Sequence, residues 1–420
     1  MPTITEKARA QGLAPAEYIL RRISDQQAVS KIQRTLLAVC PNSEAVIKAA
    51  VRSAMRANAP ILFAATLNQV DSDGGYTGMT QAQFVERIRR EAESLNWSGP
   101  IVIGLDHGGP WLKDIQTVEK WELPRCMNWI KKSLEAAILA GYDLLHIDPT
   151  VDITLPKGRM IPIAVVADRT IELILHAEKF RREQGRLRIA YEVGTEEVHG
   201  GLADMATFRT FLRLLKEGLA KNQLADVWPC FIVGKVGTDL HTAYFDAAAA
   251  RRLAGEAAAV NSVIKGHYTD NVANPQDYPL SGMGGANVGP EFTEAEYEGL
   301  MTLTELEGRL VRCGRMARES GFKEILEKAV IDSGRWVKWL FAEERDRDFP
   351  DLAAERQSWL VRTGCRYVWT VDDVLAARRR MYENLTGNGF QAEEIVLLHI
   401  ERAMDKYFHK FNLINLNTFL

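Results

Sequence analysis

The sequence has few cysteines, and none of them is arranged as a pair. Its five cysteines are scattered over 420 residues, odd in number, and never spaced as C-x-x-C. A disulfide framework needs paired cysteines, and the common structural zinc sites need closely spaced thiols, so neither is expected. The pattern is typical of reduced, mostly buried thiols in a cytoplasmic protein.

Long apolar runs and an excess of positive charge are also missing. No uninterrupted apolar run approaches the roughly 20 residues that cross a bilayer, and no apolar stretch near the N-terminus follows a basic segment. The 52 basic and 55 acidic residues nearly balance, giving a formal net charge of −3. This charge predicts no surface for nucleic acid or anionic lipid. We therefore expect a cytoplasmic protein with neither a membrane nor a nucleic-acid partner.

Several common catalytic motifs are absent. The sequence contains no G-x-x-x-x-G-K-[ST], no H-E-x-x-H and no G-x-S-x-G. A P-loop kinase, a zinc protease of the usual type and an α/β-hydrolase are thus unsupported. The first apolar run leads into AVCPNSEAV, without the glycine-rich turn of a dinucleotide fold. No nucleotide cofactor is expected.

What the sequence does contain is a regular alternation of short apolar runs and segments with helical apolar spacing. Helical spacing occurs at 44–56, 81–94, 129–140, 169–182, 205–219 and 243–257. This alternation favours a parallel sheet, and eight strands suit a closed (β/α)8 TIM barrel. An open doubly wound sheet is the alternative. The predicted strands are 35–40, 60–66, 101–106, 143–148, 187–192, 230–235, 262–267 and 286–289.

The chain divides into three predicted parts. Residues 1–30 form an N-terminal leader segment, and residues 31–300 form the barrel. Residues 301–420 form a helical extension of the same structural unit, with helical patterns at 300–318, 323–341, 352–363, 371–385 and 393–411. The aromatic residues of this extension are interpreted as packing residues. They include Trp336, Trp339, Trp359, Tyr367 and Trp369.

Polar side chains gather at the predicted strand ends, where a parallel barrel carries its active site. Five of the eight histidines fall at or just beyond these ends: His107, His146, His199, His241 and His267. Imidazole and carboxylate groups on one rim indicate a reaction centre. The expected strand ends are Cys40, Thr66, Asp106, Asp148, Glu192, Lys235, His267 and Asn287.

The strongest local candidate is the Asp106-His107 pair. Its carboxylate is suited to moving a proton, and its imidazole to holding a divalent metal. The alternative is a pair that only caps the next segment. Glu192 is a second candidate for moving protons, and His267 a second metal ligand. Lys235 is expected to be a buried cation that binds phosphate or forms a Schiff base, or else an ion-pair partner of Glu192.

Further polar residues are candidates for contacts with a ligand. The glycine-rich second loop contributes Asn68, Gln69 and Tyr76, whose amide and phenol groups suit sugar hydroxyls, although an ordinary surface loop has a similar composition. A backbone-rich anion site is predicted around Asn287 and Gly289, at the strand where barrels often hold phosphate. The remaining candidates for substrate binding are Asp148 and Asp270.

Six stretches together resemble the GatZ/KbaZ family of D-tagatose-bisphosphate aldolase subunits. The resemblance runs from about residue 32 to the C-terminus. It implies a barrel related to the class II aldolases, an oligomer, a sugar or sugar-phosphate ligand, and a non-catalytic subunit that supports a separate catalytic aldolase chain. The stretches are ATLNQVDSDGGYTGMT, GLDHGGP, LLHIDPT, YEVGTEE, GHYTDN and NVGPEFT.

The sequence departs from the catalytic class II pattern that this resemblance brings with it. The metal histidine expected at strand six is replaced by Lys235, with His241 further along, His267 is shifted, and NVGP lacks a threonine. The leading hypothesis is therefore an accessory aldolase subunit in ketose or galactitol-type carbohydrate metabolism. The alternative is a stand-alone epimerase or aldolase for a ketose or ketose phosphate, dependent on a divalent metal such as Zn or Mn. A tagatose-6-phosphate kinase is a third, weaker reading.

Overall fold

Eight parallel strands close into a barrel in the computed structural model, which describes residues 3–156, 159–194, 202, 204–239 and 243–420. The strands pair in sequence order, and the last pairs with the first. This confirms the (β/α)8 barrel and excludes the open sheet. The strands are β1 (Leu36–Val39), β2 (Ile61–Thr66), β3 (Ile101–Gly108), β4 (Leu144–Ile147), β5 (Ala190–Gly194), β6 (Phe231–Val233), β7 (Val263–Gly266) and β8 (Met283–Val288).

Helices connect the strands and continue to the C-terminus. Helices from α3 onwards alternate with the strands, and those after β8 form the predicted helical region. They are α1 (Ile4–Ala10), α2 (Pro15–Ser30), α3 (Glu44–Ala57), α4 (Gln81–Ser94), α5 (Asp114–Val118), α6 (Leu123–Ala140), α7 (Ile163–Glu183), α8 (Met205–Lys221), α9 (Ala247–Ala258), α10 (Asp277–Leu280), α11 (Pro290–Arg312), α12 (Phe322–Asp332), α13 (Ala354–Gly364), α14 (Asp372–Gly387) and α15 (Ala392–Lys410). None of the helices in the described ranges is both long and apolar enough to span a bilayer.

The last strand begins three residues earlier than its predicted start, at Met283 rather than 286. Its first part is MGGA, which offers no apolar run to recognise. A Cβ atom at Gly285 would lie 3.1 Å from the Phe231 ring and 3.2 Å from Cγ of Lys265. Glycine is found here because two large side chains, one from β6 and one from β7, already fill the space beside it.

The helical region after β8 is fastened to the barrel by packing and by ion pairs. Helix α15 packs against α3 and α11. From α3, Arg52 and Arg56 each place a guanidinium nitrogen 2.7 Å from the buried carboxylate of Glu401 on α15. At the N-terminal side, Glu17 of α2 pairs with Arg188, just before β5, at 2.9 Å. Helices at both ends of the chain are therefore packed on the barrel.

The loop after β2 is organised around one buried carboxylate. Asp71 accepts hydrogen bonds from Lys113 (2.8 Å), Trp129 (2.8 Å), Ser133 (2.8 Å) and Gln81 (3.0 Å). Burial raises the pKa of this carboxyl group, but the Lys113 ammonium together with the hydrogen bonds from Trp129 and Ser133 outweighs it, and the pKa is lowered. Asp71 thus joins the loop to α4, to the residue that caps α5 and to α6.

We expect Asp71→Ala to lower the free energy of unfolding by about 3 kcal/mol, because it leaves several buried donors without their acceptor and removes the buried one of the two carboxylates that pair with Lys113. Asp73→Ala is the matched control: Asp73 also lies 2.8 Å from Lys113, but its side chain is 45% exposed. Its loss is expected to cost under about 1 kcal/mol. Urea unfolding checks both values, and equal losses would contradict the central role of Asp71.

Candidate functional site

Three histidine rings meet at the carboxyl ends of the strands. His107 lies in β3, His146 in β4, and His267 directly after β7. The ring centroids are 4.7 Å apart for His107 and His267, 4.9 Å for His107 and His146, and 5.3 Å for His146 and His267. Asp106 joins them, so that four ligand atoms lie within 4.8 Å of one another. This spacing is compatible with a divalent metal.

The end of β3 is shaped to turn His107 towards this cluster. The pairing of β3 with β4 shifts register between Leu105 and Gly108, and His107 has a φ of 52°, in the left-handed region. A non-glycine residue rarely adopts this conformation, and irregular strand ends commonly re-aim a side chain. The amide of His107 also donates a hydrogen bond to Nδ1 of His146, at 3.1 Å. This hydrogen bond therefore fixes the backbone at His107 to the ring of His146.

The two glycines after His107 allow the chain ends to approach closely. A Cβ atom at Gly108 would lie 2.7 Å from the carbonyl oxygen of His146. At Gly109 it would lie only 1.8 Å from the carbonyl oxygen of Asp148. Their small size thus serves contact between the end of β3 and the end of β4.

Buried carboxylates hold the rings from behind. Asp148 lies 2.5 Å from Nδ1 of His107 and accepts a hydrogen bond from Thr150 at 2.5 Å. Glu192 lies 3.1 Å from Nε2 of His267 and 2.6 Å from Nζ of Lys265. Carboxylates that bind the second nitrogen of a metal-ligating histidine fix its orientation and raise its basicity. Asp148 and Glu192 are placed for this task.

The protonation of the two rings differs although both are buried. Burial lowers the pKa of His107, but the carboxylates of Asp106 and Asp148 outweigh it and raise the pKa to about 9. Burial also lowers the pKa of His267, and here it prevails, giving about 4. Burial raises the pKa of Glu192, yet Lys265 and the histidines bring it down to about 2. At neutral pH His267 therefore presents a neutral imidazole beside ionised carboxylates.

Two polar atoms directly beside the histidine cluster have no hydrogen-bond partner within the described ranges. They are Nε2 of His146 and Oδ1 of Asn287, both buried. The amide nitrogen of Asn287 binds Asp106 at 3.0 Å, which leaves its oxygen unused. Buried polar atoms are normally satisfied, so these two are consistent with a missing ligand or ion. The side chains present thus fit a divalent metal with a polar ligand beside it.

A cavity of about 270 Å³ opens beside the cluster. Asp106, His107, His267 and Asn287 line its inner part, as the sequence predicts. The predicted loop residues also reach it, although their polar groups are largely engaged with the protein. The other lining residues include Asn68, Gln69, Tyr76, Tyr268, Asp270, Lys338, Trp339, Arg366 and Tyr367.

The side chains predicted from the second loop build the cavity more than they reach into it. Asn68 donates to the carbonyl of Leu112 at 3.0 Å and accepts from the amide of Asp114 at 2.9 Å. Gln69, almost fully buried, donates to the carbonyl of Pro41 at 2.8 Å. The Tyr76 hydroxyl donates to Asn42. Their contact with a ligand remains a prediction.

The predicted anion site at the final strand is already filled by a side chain. Asp270 accepts hydrogen bonds from the backbone amides of Gly289 (2.9 Å) and Glu291 (2.8 Å), at the start of α11. A carboxylate satisfies such amides as a phosphate would. The backbone-rich turn after Asn287 therefore binds the protein's own anion.

The cation predicted at strand six differs from the one observed. Strand β6 ends at Val233, so that Lys235 lies beyond the strand and is half-buried. The buried ion pair with Glu192 is made by Lys265 of β7, which is 1% exposed. This corrects the expectation of Lys235 as the buried strand-end cation. Asp148 also differs from its predicted role, because it contacts His107 and does not line the cavity.

Sequence reasoning missed several residues of the site. His146 was recognised at a strand end but not assigned to the metal, and Lys265 was overlooked inside an apolar run. Trp339 and Tyr367 were interpreted as packing residues, yet they line the cavity together with Arg366. A lysine within a buried strand was an available signal for Lys265. His199 and His241 lie outside the described residues.

The fold and the site together define a class: (β/α)8-barrel proteins with a candidate metal centre at the carboxyl ends of the strands. Within that class, residues 20–410 match the sequence model of the family described as D-tagatose-1,6-bisphosphate aldolase subunit GatZ/KbaZ-like. The chain belongs to this family, and the resemblance noted in the sequence is thereby confirmed.

Solved structures of other proteins share this fold. A probable tagatose 6 phosphate kinase from Sinorhizobium meliloti 1021 is 23% identical, with a TM-score of 0.73 over 90% of this chain and 100% of the other. A fructose-bisphosphate aldolase from Campylobacter jejuni is 12% identical, with a TM-score of 0.54 over 96% of each chain. At these identities the likeness concerns the fold.

Proposed function

We propose that this chain is itself a metal-dependent enzyme that cleaves or epimerises a ketose or ketose phosphate. The observation that carries the proposal is the convergence of His107, His146 and His267 with Asp106, in a cluster whose members Asp106, His107 and His267 line the cavity. An aldolase-related role agrees with the family and with the aldolase fold. In this proposal the three imidazoles hold a divalent cation such as Zn or Mn, and Asp106 moves protons.

The chemistry divides between the cation and the carboxylate. A divalent cation, when bound, polarises the carbonyl and hydroxyl oxygens of a sugar. Asp106 accepts the proton of the hydroxyl group on the carbon β to the ketone. That oxygen then forms a carbonyl, the adjacent carbon–carbon bond breaks, and its electron pair passes to the ketone fragment. Asp106 returns the proton when the bond forms again.

Two outcomes follow from this one step. Release of both fragments is aldol cleavage, whereas rotation of the aldehyde fragment and renewed bond formation on its other face gives the epimer. Glu192 has no contact with the cavity and is bound to Lys265 and His267. We therefore assign Glu192 to positioning His267, and Asp106 to the proton transfer.

The test is metal content and turnover of the purified chain alone. We expect about one divalent ion per chain, and NMR-detected conversion of ketose phosphates when Zn or Mn is supplied. His146→Ala is expected to lose both the ion and at least about 100-fold in turnover. His176→Ala is the matched control, since His176 binds Glu135 on the outer helices at 2.8 Å. Unchanged metal content and turnover in His146→Ala would overturn the proposal.

A second candidate is the accessory subunit of the leading sequence hypothesis, because the family is described as an aldolase subunit. In that case the chain binds a catalytic class II aldolase chain and raises its activity. Size-exclusion chromatography and aldolase assays of the two purified chains, alone and mixed, test this. A complex whose activity is unchanged by His146→Ala supports the accessory role, and the absence of any complex or activation excludes it.

A sugar-phosphate kinase is the weakest candidate. The name of the Sinorhizobium protein suggests it, but the sequence has no P-loop motif. Incubation with ATP and a ketose phosphate separates the candidates, since only a kinase consumes ATP.

A further inference from the structure

One buried cation in the cavity has no carboxylate partner. Arg366 is 5% exposed and lines the cavity, and within the described ranges no carboxylate oxygen lies within 4.0 Å of its guanidinium group. Arg378 of the same helical region, whose side chain is 19% exposed, contacts Glu296. Burying a charge without a counter-charge is costly, and at a cavity surface an anionic ligand removes that cost.

Aromatic residues hold this guanidinium group in position. Its central carbon lies 5.0 Å from the ring centroids of both Trp339 and Tyr367, within the range of cation–π attraction. Tyr367 in turn stands against Tyr76 edge to face, with centroids 5.1 Å apart. The helical region and the second loop thus fix Arg366 in place before any ligand arrives.

Lys338 and the backbone amides at the start of α11 could also bind an anion, but each already has a partner within the protein. Lys338 lies 3.1 Å from Asp114. The backbone amides before α11 are bound by Asp270. Arg366 is hydrogen-bonded to the Tyr367 side chain but has no carboxylate partner among the described residues, so its charge is left for a ligand.

We propose that Arg366 binds an oxyanion group of the ligand, at the opposite end from the atoms that reach the histidines. The ligand class is a sugar carrying a terminal phosphate or carboxylate. The sugar part of this inference rests on the proposed function, whereas the anion site stands without it. A guanidinium group suits both oxyanions because it donates two parallel hydrogen bonds to either.

The test compares the binding of a phosphorylated, a carboxylated and a neutral sugar. D-fructose 6-phosphate, D-gluconate and D-fructose are titrated into the metal-loaded protein by calorimetry, with inorganic phosphate as a sugar-free probe. We expect the wild-type protein to bind at least one anionic sugar roughly 30-fold more tightly than D-fructose. The preferred anion distinguishes phosphate from carboxylate.

Arg366→Met is expected to reduce that preference to under about threefold while the affinity for D-fructose is unchanged. Arg366→Lys keeps the charge and should keep part of the preference. Arg362→Met is the matched control, because Arg362 lies in the same region and contacts Glu298 at 3.8 Å. Circular dichroism and metal content verify that each variant is folded.

Different results would contradict the anion site at Arg366 and the proposed metal-dependent enzyme. A folded Arg366→Met protein that keeps the preference for the anion would overturn the anion site, as would a wild-type protein without any such preference. If Arg366→Met abolishes phosphate binding but His146→Ala changes neither metal content nor turnover, the anion site stands and the proposed enzyme does not.

Discussion

Asp106→Asn is expected to lower kcat/KM for a ketose substrate by about 1,000-fold, because it removes the group that accepts the hydroxyl proton. The substitution keeps the size of the side chain. Asn287 still finds an acceptor oxygen in the amide, so the strand end is expected to keep its shape. Stopped-assay kinetics at saturating metal, together with metal content, measure the effect.

Asp148→Asn is the matched control for this loss. Asp148 also contacts a histidine of the cluster, but it binds His107 from behind and does not line the cavity. We expect it to weaken metal binding about tenfold and to recover most turnover when metal is in excess. Normal turnover by Asp106→Asn would contradict proton transfer by Asp106. Loss of the metal in that variant would make Asp106 a ligand, which also contradicts the assigned role.

The fold was predictable because each unit of the barrel has its own local signal. Helix α4 was predicted with its observed bounds, since its sequence has helical apolar spacing after Thr80, whose side chain accepts a hydrogen bond from the amide of Gln83. Strand β8 was predicted too short, because Gly285 is required by the side chains of Phe231 and Lys265, and Gly284 by the side chain of Val263. That requirement comes from neighbouring strands and leaves no local pattern.

The site was predictable only where its residues are adjacent to a strand end. Asp106 and His107 follow an apolar run directly, and the structure places both in the cavity. The sequence predicts Lys235 as the buried cation because the predicted strand ends there. Strand β6 ends two residues earlier, at Val233, and the buried cation is Lys265 of β7. Arg366 lies about 80 residues after the end of β8, so only the folded chain brings it to the cavity.

Lys265→Met is expected to lower the free energy of unfolding by about 4 kcal/mol, because it leaves Glu192 charged and buried without its ammonium partner. Burial lowers the pKa of Lys265, but the carboxylates of Glu192 and Asp106 outweigh this effect and the pKa is raised overall. The lysine is therefore charged at neutral pH. The loss should be larger at pH 8 than at pH 5. Without Lys265 the folded-state pKa of Glu192 rises above its unfolded value, and the variant then loses stability as pH increases.

The decisive measurement is a double-mutant cycle on this pair. Glu192→Gln alone leaves the Lys265 ammonium unpaired and is also expected to destabilise the protein. Lys265→Met combined with Glu192→Gln removes both charges, and we expect it to recover at least about 2 kcal/mol relative to the sum of the single losses. Strictly additive losses in urea unfolding would show that the two side chains act independently. If the double variant regains stability but binds metal weakly, the pair is present to hold His267 in place, since Glu192 contacts its Nε2 at 3.1 Å.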